Sequence, residues 1–135
     1  MTTMIRRAAA FAAAVLGAGS ASAAGPAGVW LDHTGRGAVE ITDCGGRLCG
    51  RLIWLQNKGH GTACGVQIIG NVRPVGGGKW DGGWIYDPEA RSRYDVEITP
   101  LGGGKLKVLG YAGTKALSET MIWRRAPAGL RRCTA

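Results

Sequence analysis

The residues of this sequence that could do chemistry are two histidines, four cysteines and two aspartates set among aromatic rings. His33 and His60 both sit between loop-forming residues. A Ser-His-Asp arrangement drawn through His33 has neither a nucleophile elbow nor a partner to orient the base. His60 and Cys64 have the i, i+4 spacing that metal ligands use on a helix, but Gly61 breaks the stretch and the cysteine is expected to be oxidised. Asp81 and Asp87 lie beside Trp84 and Tyr86, the acids-and-rings combination that glycan cleavage uses. Asp87-Pro88 opens a turn, however, and Asp81-Gly82-Gly83 has the make-up of a loop or bulge, so the structural reading of both acids is the better one. Gly76-Gly77-Gly78-Lys79 lacks the spacing and the following helix of a phosphate loop and reads as a hairpin. No catalytic residue is assigned on these grounds; the chain is read as a non-enzyme with no cofactor and no metal ion.

The cysteines need an oxidising compartment, and the N-terminus points to one. Arg6-Arg7, an apolar run over residues 8–18 and the small-residue exit Ala21-Ser22-Ala23 are the parts of a cleavable secretory leader in their usual order. The apolar run is well short of the roughly 20 residues that a membrane-spanning helix needs. Residues 1–23 are therefore expected to be removed. What remains is one domain over 24–125 and a C-terminal tail over 126–135, exported to the periplasm or beyond, with no transmembrane span in the mature part. Export makes Cys44, Cys49, Cys64 and Cys133 a disulfide framework. Three pairings are open. Cys44–Cys49 with Cys64–Cys133 is favoured, because Gly45-Gly46 lets the first two face each other across a hairpin; Cys133 as a free or intermolecular thiol is the alternative to the second bridge.

Twenty-four glycines and no sustained helical period make this β-type punctuation. Eight strands are predicted, over 29–32, 38–43, 48–55, 66–75, 79–86, 92–99, 105–111 and 118–125. The clearest alternation puts Tyr94, Val96 and Ile98 on a buried face and Asp95, Glu97 and Thr99 on a wet one. Eight short strands with no room for crossover helices predict an all-β fold, an antiparallel up-and-down barrel that closes its own edges. A two-sheet sandwich fits the same pattern as the alternative.

Three stretches, taken in order, resemble the DUF2147 family of exported bacterial proteins. They are Gly28-Val29-Trp30, then Cys44 through Leu55 with its Gly50-Arg51-Leu52-Ile53-Trp54-Leu55 run, and Gly83-Trp84-Ile85-Tyr86-Asp87-Pro88 continuing to Tyr94, with Gly110-Tyr111 and Trp123-Arg124-Arg125 closing the domain. The resemblance implies a lipocalin-like barrel of unassigned activity. It also implies that Trp30 of the Gly-x-Trp opening is covered by Arg125 of the last strand as a structural closure. The loop before Cys64 is shorter than the family's usual one, and Cys133 is not a family feature.

A barrel of about eight strands is just wide enough to be filled by side chains or to hold one small ligand. Trp54, Trp84, Tyr86 and Tyr111 are the rings read as candidate ligand contacts at its mouth. The expected function is binding of a small apolar or amphipathic ligand in the cell envelope. The alternative is a structural or interaction module contacting an anionic envelope polymer or a protein partner, motivated by 15 basic against 9 acidic residues once the leader is gone. The basic residues are scattered and not interleaved with rings, so nucleic acid is not expected as a partner.

Overall fold

The computed structural model describes residues 25–57 and 63–133. The leader expected over 1–23 and His60 lie outside the described residues. Eight strands follow one another along the chain: β1 (Gly28–Leu31), β2 (Gly37–Asp43), β3 (Leu48–Leu55), β4 (Gln67–Gly76), β5 (Lys79–Asp87), β6 (Ser92–Gly102), β7 (Lys105–Ala112) and β8 (Thr114–Arg125). Each pairs antiparallel with the next and β8 returns to β1, giving a closed barrel in sequence order rather than a sandwich. No helix among the described residues is long and apolar enough to cross a membrane.

The glycine pairs that punctuate the sequence make the tight turns. Gly77-Gly78 and Gly103-Gly104 have φ of 64°, 74°, 62° and 75°, the double positive φ that a two-residue hairpin needs to match the strand twist. Strand alternation then sorts the side chains. Trp30, Val39, Ile41, Leu52, Ile69, Ile85, Val96, Ile98, Leu106, Val108 and Trp123 form one buried cluster, which is the inside of the barrel. On the same strands the residues between them face outward.

Closure is short. Among the described residues β1 meets β8 through two register pairs, Trp30 with Arg125 and Leu31 with Arg124. Between Thr114 and Ile122, β8 is paired with β7 and has no strand on its other edge among the described residues. This half of β8 is exposed almost throughout. The strand predicted from Ser118 begins earlier, at Thr114. The regular ladder does stop at Ser118, opposite Tyr111, and Lys115, Ala116 and Leu117 then bulge before Thr114 rejoins Ala112.

The tail after β8 crosses the outside of the barrel. Ala126 N–H donates to the Val29 carbonyl at 3.0 Å and Cys133 N–H to the Ile53 carbonyl at 2.7 Å. Disulfides join Cys44 to Cys49 and Cys64 to Cys133.

Candidate functional site

The two ends of the barrel differ in chemistry. At the end where β1 begins and β8 finishes, the Arg125 guanidinium lies 3.9 Å from the centroid of the Trp30 ring. It donates to the carbonyls of Ala27 at 2.6 Å and Gly25 at 3.1 Å. The Trp30 indole donates to the Pro26 carbonyl at 2.8 Å. A planar cation stacked on an indole and bonded to the segment before β1 plugs that end. Gly28 must be glycine there: its φ is 126°, and a Cβ would stand 2.1 Å from an Arg125 nitrogen.

The opposite end, bounded by the β1–β2, β3–β4, β5–β6 and β7–β8 connections, is less covered on one side among the described residues. Three glycines on the inner face show where. A Cβ on Gly50 would press on Ile69 at 3.0 Å and Val39 at 3.1 Å, and one on Gly83 would strike the β4 backbone at the Gly70 carbonyl at 2.3 Å, so neither position has room for a side chain. A Cβ on Gly110 of β7 would meet nothing nearer than the Met121 methyl at 3.9 Å. Register places Val96 and Glu119 on either side of Gly110. Tyr94 shares the inner face with Val96 and Ile98, yet it is 40% exposed where those two are at 0%. Met121 is only partly buried and Glu119 is exposed. Among the described residues the inner wall of β6, β7 and β8 is thus a partly uncovered recess at Tyr94, Gly110, Glu119 and Met121, with Val96 buried beside them and next to the part of β8 that β1 does not pair. Farther in on the same face of β8, Trp123 is buried and its indole N–H has no acceptor among the described residues.

The rings singled out from sequence go elsewhere. Trp84 and Tyr86 flank the inward Ile85, and Tyr111 adjoins the inward Gly110, so these three face outward. Register sets Gly70, Trp84, Asp95, Tyr111 and Ser118 in one row across the outside of the sheet. Trp84 lies on Gly70, whose absent side chain leaves room for the indole, and Arg93 stacks on it at 4.1 Å. Tyr86 packs against the buried cluster on the face it shares with Ile68. Trp54, opposite Ala38 at a bulge between β2 and β3, is half-buried.

Glu97, expected on a wet face, is 5% exposed. The bulge of β8 folds Lys115 over it. The Lys115 ammonium reaches Glu97 and Asp81, both at 2.7 Å, and the Tyr111 hydroxyl donates to Asp81 at 2.6 Å. Burial pushes the Asp81 carboxyl up, but hydrogen bonds from Lys115, Tyr111 and the Gly82 N–H outweigh it and hold the group below its ordinary value. Burial and the bond to Asp81 push the Tyr111 phenol up to about 12. The bonds to the two carboxylates raise Lys115. Asp81, which a catalytic pair would need available, is bonded to three donors in a brace between β5, β6 and the β7–β8 hairpin. Asp87 accepts from the N–H groups of Glu89 and Ala90 and shapes the turn after β5. His33 is exposed in the β1–β2 turn, which Asp32 organises by accepting from Thr34.

Sequence reasoning missed Gly110, Glu119 and Met121 as site residues. The inward parity of Tyr94 was readable; the thin cover over Gly110 among the described residues was not, because it depends on the register that sets Val96, Gly110 and Glu119 side by side.

Among solved structures, the chain is similar to a protein of Helicobacter pylori described as belonging to the lipocalin family. The match has a TM-score of 0.61 at 15% identity and covers 76% of this chain and 83% of that one. At that identity the likeness shows the fold. A comparison with curated proteins finds no match. A family model described as an uncharacterized protein conserved in bacteria, DUF2147, matches residues 28–125. That span runs from the glycine under Arg125 to Arg125 itself, the whole barrel and nothing outside it, and the chain belongs to this family.

Proposed function

We propose that the protein is an exported, non-enzymatic carrier or sensor that holds a small amphipathic ligand in the recess of β6–β8. The observation that carries this reading is that, among the described residues, a Cβ on Gly110 would meet only the Met121 methyl at 3.9 Å, while Tyr94, Glu119 and Met121 around it stay partly or fully exposed. Tyr94 and Met121 offer apolar surface, Glu119 lies at the rim, and the Trp123 N–H, without an acceptor among the described residues, is a buried donor that a ligand oxygen would satisfy. Export rests on the leader-like N-terminus, the two disulfides and a bacterial family. The non-enzymatic reading rests on the bonds that tie Asp81 and Asp87 into structure.

The test is native mass spectrometry of protein purified from its own envelope fraction, followed by fluorescence titration of lipids and fatty alcohols. A co-purifying mass, and a titration abolished by Gly110→Leu with the fold intact, is the expected result. No bound mass and no titration across the panel, or binding equal in Gly110→Leu, would reject the recess as the site. The competing reading, a module contacting an anionic envelope polymer, predicts instead retention on isolated cell wall that falls as salt rises.

A further inference from the structure

The tail, which lies outside the span that the family shares, forms a second concavity against the outer face of the barrel. It is pinned at two places. Near its start Ala126 is bonded to β1, and near its end Cys133 is bonded to β3 and disulfide-linked to Cys64, while Arg132 grips Glu40 through two bonds of 2.9 Å. Between the pins Pro127, Ala128, Gly129 and Leu130 arch over the outward side chains of Val29 and Ile53. With Arg125, Ala126 and Arg132 they line a concavity of about 360 Å³ that stays open to solvent on one side. This falls in the size range of small-molecule sites, and at ~30 Å³ per water-sized group it holds about a dozen non-hydrogen atoms.

Its charge is one-sided. Arg124, Arg125, Arg131 and Arg132 gather at the two ends of the arch, and Glu40 is the one acid bonded among them. Arg132 is committed to Glu40 and Arg125 to Trp30 and the segment before β1. Arg124 and Arg131 are exposed and have no ion-pair partner among the described residues. An apolar floor of Val29, Ile53, Pro127 and Leu130 with the Arg125 and Arg132 guanidiniums in its wall, and with exposed Arg124 and Arg131 next to them in sequence but outside the lining, matches a chain that is apolar along its length and negative at its end.

We propose that the arch is a second binding site, separate from the recess above Gly110, for a short aliphatic chain ending in an anionic group, carboxylate or phosphate. The Cys64–Cys133 bond keeps it assembled. Opening that bond frees the end of the arch, so occupancy depends on the oxidised state.

The experiment is a titration of the oxidised, full mature protein with decanoate below its micelle concentration, read on the methyl resonances of Val29, Ile53 and Leu130. Decyltrimethylammonium and inorganic phosphate serve as the arms lacking the charge and the chain. Saturable shifts of those methyls with decanoate, at least tenfold weaker with either control probe, are expected. Leu130→Glu, which keeps both pins, and the pair Cys64→Ser with Cys133→Ser, which removes one, should each weaken decanoate at least tenfold. Gly110→Leu should leave these shifts unchanged whatever it does to the recess. Unmoved methyls, equal binding of the ammonium probe, or full affinity in Leu130→Glu would overturn the proposal.

Discussion

Replacing Arg125 tests how the barrel is held shut. The β1–β8 seam has two register pairs among the described residues, and Arg125 belongs to one of them. Arg125→Met keeps the length and most of the apolar stem but removes the charge and the donors. The stack on Trp30 at 3.9 Å is part-buried and contributes about 1 kcal/mol. The bond to the Gly25 carbonyl at 3.1 Å is also part-buried and contributes about 1.5 kcal/mol as a charged hydrogen bond. The bond to the exposed Ala27 carbonyl counts for about 0.5 kcal/mol, because water replaces it. Together these give about 3 kcal/mol, or a fall in Tm of about 12 °C or more for a domain of this size. Arg125→Lys keeps the charge and one donor but loses the planar stack, and should fall between the two. Urea unfolding followed by far-ultraviolet dichroism, with the m-value checked for constancy, measures the series. The reasoning fails if Arg125→Lys equals wild type, or if Arg125→Met costs less than about 0.5 kcal/mol, within the range of an ordinary surface change.

Three further outcomes follow from the geometry. Gly83→Ala forces a Cβ to 2.3 Å from the Gly70 carbonyl and should cost about 3 kcal/mol, whereas Gly110→Ala makes an ordinary contact with the Met121 methyl at 3.9 Å and should stay within about 1 kcal/mol of wild type; a pair of thermal melts decides this. The Tyr111 phenol is raised from 10.0 to about 12 in the folded state, so the stability it confers is complete below pH 10 and is lost as pH climbs toward 12. Wild type should therefore lose stability more steeply than Tyr111→Phe across that window in pH-dependent urea melts, and parallel curves would show that the phenol is not held by Asp81. Arg91 has φ of 52° in the turn before β6, a conformation that disfavours a side chain. Arg91→Gly should raise stability by about 1 kcal/mol, seen as a higher urea midpoint.

The barrel was legible because its signals are local. Gly77-Gly78 and Gly103-Gly104 announce hairpins, and the Tyr94-Val96-Ile98 parity announces an inner face. What depends on distant register was not. Trp84, Tyr86 and Tyr111 looked like mouth residues because large rings need a place. In Trp84-Ile85-Tyr86 both parities are apolar, and nothing in the triplet tells which faces in. Glu97 read as wet because a carboxylate in an alternating strand usually is. It is covered by Lys115, eighteen residues on, which reaches it through a bulge that carries no turn residue. The same bulge explains why β8 was expected from Ser118: the regular ladder does end there, and the chain continues as strand without announcing it.

The missing neighbour of β8 also has a kinetic face. Successive residues of an antiparallel strand send their N–H groups to opposite sides, so from Ser118 to Ile122 every second amide is locked to β7 and the alternate ones look out from an edge with no strand beside it among the described residues. Hydrogen exchange along this segment should alternate residue by residue, protected amides keeping their protons as long as the barrel stays folded and the others trading with solvent almost at once. A single strand would then hold two clocks, and an occupant that paired with the edge would reset only the fast one.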